Sequence, residues 1–104
     1  MAITVKTSNP TGLLASIKKA ITDGKVETWT VDNDGDFRHS PSQWKADGYL
    51  KPVAGTSDLT LNFRRFDSAQ HSEKIASGVY QGRFVERLAN HFEHSYISIT
   101  VVTP

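Results

Sequence analysis

The sequence contains no cysteine among its 104 residues. This absence excludes disulfide frameworks, cysteine-ligated zinc, iron–sulfur clusters and thiol catalysis. A cysteine-free chain also fits a reducing compartment, and we therefore expect a cytoplasmic location. The first residues, MAITVK, are not followed by a long apolar stretch, so the sequence predicts no secretory signal.

The chain also lacks a large excess of charge of either sign, because 12 Lys and Arg residues balance 11 Asp and Glu residues and leave a formal net charge of +1. Such a chain has no overall field to attract nucleic acid or an anionic membrane, and either partner would need a local patch. No window approaches about 18 consecutive apolar residues, the length that indicates a membrane span. We therefore expect no membrane partner.

The size and composition of the chain are those of one globular domain. With 104 residues, 38% hydrophobic and 22% charged, the chain can bury a single core without a disulfide or a structural metal. We predict one α+β domain over residues 1–104, and we expect no cofactor.

Six segments have the alternation or the β-branched composition of strands. They cover residues 2–7, 26–31, 36–39, 49–53, 58–66 and 95–102. Apolar residues at helical spacing predict two amphipathic helices, over residues 10–23 and 70–93. Pro10 is a start signal for the first helix and Gly24 a stop signal. A capping-box pattern at residues 40–43 predicts a further short helix.

The order β-α-β-β-(short helix)-β-β-α-β predicts an α+β fold, with the two amphipathic helices packed on one face of a mostly antiparallel sheet of five to six strands. A ferredoxin-like arrangement with an extra hairpin is one topology that fits this order. The other face of the sheet is expected to stay in water. The residues predicted to lie on it are Thr4, Lys6, Thr60, Asn62, Arg64, Ser98 and Thr100.

Two patterns suggest a metal site, but neither meets its requirements. Residues 32–36, DNDGD, resemble a calcium loop, yet the positions where an EF-hand needs Gly and Glu hold Phe37 and Gln43. We interpret the run as a polar hairpin turn. His91 and His94 are three residues apart near a predicted helix end, but a metal site needs a third ligand. The sequence therefore predicts no metal site.

Catalytic motifs are absent from the sequence. It has no G-x-S-x-G elbow, no phosphate-binding P-loop and no dinucleotide fingerprint. We therefore predict no catalytic residues and a protein that is not an enzyme. The alternative is a small hydrolase or transferase in which His39 acts as general base beside Asp32, Asp34 or Asp36, because a neutral imidazole near a carboxylate suits acid–base chemistry.

A second alternative is weak nucleic-acid binding through Lys6, Arg38 and Arg64. Sheets that bind RNA stack bases on exposed aromatic side chains. The residues predicted to lie on the open face are Thr, Ser and Asn besides the basic ones, so this face departs from that design. We do not expect nucleic acid to be the main partner.

Aromatic and ionisable side chains are most concentrated between residues 29 and 49. Aromatic side chains with a few polar groups are typical of a small-ligand pocket or a protein-contact patch. We predict that this region binds a protein or a small ligand. The predicted binding residues are Trp29, His39, Trp44, Tyr49 and Arg64. The alternative is that Trp29, Phe37 and Trp44 close one end of the core, with His39 hydrogen-bonded on the hairpin.

Two segments also carry a family resemblance: ETWTVDNDGDFRHSPSQW at residues 27–44 and GVYQGRFVERLANHFE at residues 78–93. With them the chain resembles a family of small uncharacterised bacterial proteins that has no assigned activity. The resemblance covers most of the chain. It implies a compact bacterial domain and transfers no functional residue.

Overall fold

The computed structural model describes residues 1–103 as a six-stranded sheet with two helices. The elements are β1 (Ala2–Lys6), α1 (Pro10–Thr22), β2 (Trp29–Val31), β3 (Phe37–His39), β4 (Gly48–Ala54), β5 (Asp58–Arg65), α2 (Glu73–Phe92) and β6 (Ser98–Val102). The spatial order is β2-β3-β4-β5-β1-β6, and all neighbouring strands are antiparallel. The predicted α+β class is confirmed. Neither helix is long and apolar enough to cross a membrane.

The four strands β6-β1-β5-β4 form an interleaved β-α-β-β-α-β arrangement. The chain passes from β1 through α1 toward β4, with β5 lying between the two strands, and from β5 through α2 to β6, with β1 between. This is the ferredoxin-like pattern. The hairpin of β2 and β3 is inserted after α1 and extends the sheet beyond β4.

Helix α1 begins and ends at its sequence signals. The Asn9 side chain accepts a hydrogen bond from the Gly12 amide at 3.0 Å, and Pro10 occupies the first helical position. Gly24, with φ of +77°, then turns the chain out of the helix. The buried stripe packs into the core and consists of Leu13, Ile17 and Ile21.

Helix α2 is one continuous helix of 20 residues. The Ser72 hydroxyl accepts a hydrogen bond from the Ile75 amide at 3.2 Å and caps its N-terminus. Gly78 and Gly82 lie four residues apart in this helix, a spacing that permits a kink or a close backbone approach. The helix instead runs through both glycines, and a Cβ at either would meet nothing within 4 Å. The buried face comprises Ala76, Ser77, Tyr80, Gln81, Phe84 and Leu88.

Strand alternation separates a buried face from an open face. The helix-facing side chains of the inner strands are inaccessible to solvent; they include Ile3, Val5, Phe37, Leu50, Leu59, Leu61 and Phe63. On the open face, the register places Thr4 between Thr60 and Thr100, and Lys6 between Asp58 and Ser98. These positions agree with the predicted polar face.

Two local features differ from prediction. The short helix predicted after Ser40 is only a set of turns, in which the Pro41 carbonyl accepts from the amides of Trp44 and Lys45 at 2.9 Å. So few bonds do not offset the cost of nucleating a helix. Strand β2 begins three residues later than predicted, because Thr28 has φ of +68°, outside the extended conformation.

Pro52 lies just beyond the point where β4 stops pairing with the hairpin. A proline within a strand is normally confined to a sheet edge, yet β4 lies between β3 and β5. However, β3 pairs with β4 at Leu50, and the longer β4 runs on to Ala54 beside β5 alone. Pro52 therefore lies on a locally exposed edge, where its missing N–H breaks no ladder.

Candidate functional site

Two of the five predicted binding residues lie inside the core. Trp29 and His39 are each 3% exposed, and their rings stack at 4.5 Å between centroids. The edge of Tyr80 packs against both rings, and Phe84 packs against the indole at 4.9 Å. We call this group the core cluster, which comprises Trp29, Phe37, His39, Tyr80 and Phe84.

His39 is held by the backbone rather than by a carboxylate. Its Nδ1 lies 2.9 Å from the Thr28 carbonyl oxygen. Burial lowers the pKa of His39, the positive charges of Arg83 and Arg87 lower it further, and the Thr28 carbonyl opposes them. No carboxylate contacts His39 within residues 1–103. The environment favours a neutral imidazole that packs in the core.

The carboxylates proposed to assist His39 form the hairpin turn instead. Asp32, Asp34 and Asp36 have carboxylate oxygens within 4.8 Å of one another. One Asp32 oxygen accepts from the amides of Asp34 and Asp36 at 2.9 and 3.0 Å. Arg38 lies 3.8 Å from Asp32, and Lys51 lies 3.9 Å from Asp36. These bonds and cations account for the acidic run as a polar turn.

Two of the predicted residues, Tyr49 and Arg64, lie at one end of the open face, whereas Trp44 lies at the same end of the sheet but packs partly against the core. Tyr49 on β4 pairs with Arg64 on β5, and Trp44 lies in the turn that precedes β4. Tyr49 packs on Phe66 at 5.3 Å between ring centroids. This face therefore carries aromatic side chains, contrary to the prediction that it lacks them.

We call the aromatic and cationic group at this end the surface cluster; it comprises Arg38, Trp44, Tyr49, Phe66 and His71. The Arg38 guanidinium lies over the Phe66 ring at 4.7 Å, a cation–π contact. The rings of Trp44 and His71 are 4.4 Å apart. All five residues are partly exposed.

Asp47 joins the two loops that carry the surface cluster. It is 1% exposed, and its Oδ2 lies 2.6 Å from Nδ1 of His71. Its Oδ1 accepts from the Gln70 amide at 2.9 Å, and its backbone carbonyl accepts from the Phe66 amide at 2.9 Å. A buried carboxylate with two such partners, together with the backbone bond to Phe66, fixes residues 66–71 against the turn before β4.

No sequence pattern pointed to Asp47 or His71. They are 24 residues apart, each lies in a loop, and neither belongs to a motif. Their pairing depends on β4 and β5 lying side by side, so it becomes visible only once the strands are paired. Two further bonds secure the same loops: Ser68 Oγ donates to the Ala46 carbonyl at 3.1 Å, and Arg65 donates to the His71 carbonyl at 2.8 Å.

A groove of about 530 Å³ opens beside the surface cluster. Its lining consists of Arg38, Lys45, Ala46, Phe66 and Ser68. The groove thus has two cations, a hydroxyl and an aromatic ring, and no acidic residue. The Arg38 guanidinium makes only long polar contacts, at 3.8 Å to the Asp32 carboxylate and at 3.5 Å to the Lys45 carbonyl. Its Nε is buried without a partner among residues 1–103.

A second cavity, of about 380 Å³, lies at the N-terminus of α1. Some of the polar groups that line it bond to one another. Thr7 Oγ1 donates to the Ser95 carbonyl at 2.8 Å and accepts from the Asn9 amide at 3.3 Å, and Asn9 caps the helix. No Lys or Arg among residues 1–103 lines this cavity, so it lacks the cationic character of the groove.

The three cations proposed for nucleic-acid binding do not form one patch. Lys6 pairs with Asp58 at one end of β5, and Arg64 lies six residues farther along that strand. At about 3.4 Å per residue, roughly 20 Å separates them. Arg38 lies on the Arg64 side, because it packs on Phe66 beside Tyr49.

Comparisons with protein-family models, with curated proteins and with solved structures found no match for this chain.

Proposed function

We propose that this protein is a binding module that recognises a protein or a small ligand through an anionic group seated in the groove beside the surface cluster. The observation that carries this proposal is the composition of the groove. Two cations face it without an acidic neighbour in its lining, and the buried Nε of Arg38 has no partner.

Each lining residue has a role that follows from its chemistry. A guanidinium binds a carboxylate or a phosphate with two parallel hydrogen bonds, and Arg38 has donors available. Lys45 adds a second positive charge, and the Ser68 hydroxyl can accept or donate. The Phe66 ring provides an apolar surface for a planar part of the ligand. Tyr49 and Arg64 extend the contact surface along the open face.

We call the contacts of Asp47 with Phe66, Gln70 and His71 the clamp, and the clamp supports this role. It holds Phe66 and the turn before β4 in place before a ligand arrives. A site that is ordered in advance loses less entropy on binding. Trp44 packs against His71 and is the chain neighbour of Lys45, so its fluorescence can report on the groove.

A titration with four anions tests the proposal. Acetate, benzoate, phosphate and phenyl phosphate are added while the melting temperature and tryptophan fluorescence are followed. We expect the two ring-bearing anions to raise the melting temperature more than their parents, because Phe66 contacts the ring. A ligand present at 100 times its Kd stabilises by about 2.7 kcal/mol.

Lys45→Glu is the decisive variant, and Lys74→Glu is its matched control. Both change the net charge equally, but Lys45 lines the groove and Lys74 lies in the first turn of α2. We expect Lys45→Glu to abolish the stabilisation and Lys74→Glu to retain it. An equal response of both variants, or no response of the wild type to any of the four anions, would contradict the proposal.

The second candidate function is acid–base catalysis by a small hydrolase or transferase, with His71 in the role first assigned to His39. The specific observation is the 2.6 Å contact between His71 and the buried Asp47. A carboxylate on Nδ1 orients an imidazole and leaves Nε2 to exchange a proton. Turnover of chromogenic esters or phosphomonoesters that disappears in His71→Gln would support it, and no turnover would remove it.

A further inference from the structure

The two edges of the sheet are protected very differently. Strand β2, at one edge, has three residues, is preceded by Thr28 in a left-handed conformation and is followed by Asp32. Strand β6, at the other edge, has five residues, SITVV, without a charge or a proline. It pairs continuously with β1 from Ser98 to Val102. Natural sheets usually blunt an edge with charge, proline or short length, and β6 has none of these devices.

Apolar side chains reach solvent along β6. Val101 pairs with Ile3, which is fully buried, yet Val101 is 43% exposed. Ile97, just before the strand, is 71% exposed, and Val102 is 54% exposed. The apolar row of the core therefore continues through β1 onto β6 and ends there uncovered.

We propose that β6 is the interface between two copies of this chain. The two β6 strands pair antiparallel about a two-fold axis, and the two sheets join into one of twelve strands, six from each copy. This proposal is independent of the proposed ligand groove, which lies beside β3 and β4, toward the other edge of the sheet from β6.

Three properties indicate a second copy as the partner. The outer edge of a sheet presents backbone N–H and C=O groups, which another strand satisfies. The sequence of β6 is self-complementary about Thr100, because antiparallel pairing sets Ile99 against Val101 twice and Ser98 against Val102 twice. Identical strands can meet without like-charge repulsion, since β6 has no charge and the whole chain has a net charge of only +1.

Sedimentation analysis over roughly 5 to 500 µM protein tests the proposal, because dimerisation depends on protomer concentration. Thr100→Lys is the test variant and Thr30→Lys its control. Both residues are exposed threonines on edge strands, but Thr30 is on β2. In the dimer two Thr100→Lys side chains would oppose each other, so we expect the dimer to weaken by roughly tenfold or more. Thr30→Lys should dimerise as the wild type does.

The lack of cysteine provides a second measurement. Residues directly opposed in an antiparallel pair have Cα atoms about 4.5–5.5 Å apart, which a disulfide can span. Oxidised Thr100→Cys should therefore form a covalent dimer, and Thr30→Cys should not. Circular dichroism confirms that each variant is folded.

A wild type that stays monomeric over the whole range would overturn the proposal. So would equal weakening by Thr100→Lys and Thr30→Lys, or a Thr100→Cys variant that does not cross-link. A monomer that instead pairs with an added apolar peptide would show that β6 takes a different strand, and this result would also overturn the proposal.

Discussion

The core cluster and the surface cluster both take residues from the stretch 29–49, but the core cluster is buried and the surface cluster is partly exposed. Phe37, Arg38 and His39 are consecutive on β3. Phe37 and His39 face the helices and join the core cluster, whereas Arg38 faces outward onto Phe66. Aromatic density along the chain therefore does not locate a binding surface until the face of each strand residue is known.

The two histidines show the physical difference between the clusters. His39 is buried and its Nδ1 contacts a backbone carbonyl, so the surroundings disfavour a positive charge. His71 is partly exposed and contacts the Asp47 carboxylate. One imidazole serves packing, and the other holds two loops together beside a cationic groove.

The largest expected contrast is in stability. Trp29→Ala should lower the free energy of unfolding by about 3–5 kcal/mol, because it empties a closely packed site between His39, Tyr80 and Phe84. Tyr49→Ala should cost about 1 kcal/mol, since it removes one aromatic contact from a partly exposed residue. Urea denaturation measures both. Similar losses in the two variants would remove the distinction between the clusters.

A smaller effect is expected at the clamp. Asp47→Ala leaves the Gln70 amide and the His71 ring without their acceptor and should cost about 1.5–3 kcal/mol. Hydrogen exchange should increase in residues 66–71 and stay unchanged around Trp29, because the loop is released and the core is not. Faster exchange at Trp29 as well would indicate that Asp47 supports the core as a whole.

The smallest expected effect is a pH dependence from the core cluster. Because the pKa of His39 is lower in the folded state than its ordinary value of 6.5, the unfolded chain binds more protons as the pH falls below that value. Stability should therefore be full above pH 6.5 and decrease as the pH falls toward the folded-state pKa. His39→Gln should flatten this slope in denaturation measured from pH 7.5 to pH 5. An unchanged slope would assign it to another group.

The elements with long periodic patterns were predictable. Helix α1, strand β1 and strand β5 begin and end within about two residues of prediction, since alternation and capping act locally. The faces of β2 and β3 were not predictable, because three-residue strands give too little alternation. His39 faces the core although its side chain is polar. Its stacking on Trp29 and its hydrogen bond to the Thr28 carbonyl explain this placement.

The candidate site was predictable only in part. Trp44, Tyr49 and Arg64 were singled out from composition; the structure places Tyr49 and Arg64 at one end of the open face and Trp44 in the adjoining turn, partly packed against the core. Phe66, Asp47 and His71 were missed, because their contacts depend on two loops that meet only after β4 pairs with β5.

An amide NMR titration with phenyl phosphate tests most directly whether the surface cluster, and not the core cluster, binds a ligand. We predict shifts at Lys45, Ala46, Phe66 and Ser68, which line the groove, and saturation with increasing ligand. The amides around Trp29 should not move. Saturable shifts confined to the region around Trp29, or no saturable shift at the groove, would contradict the account.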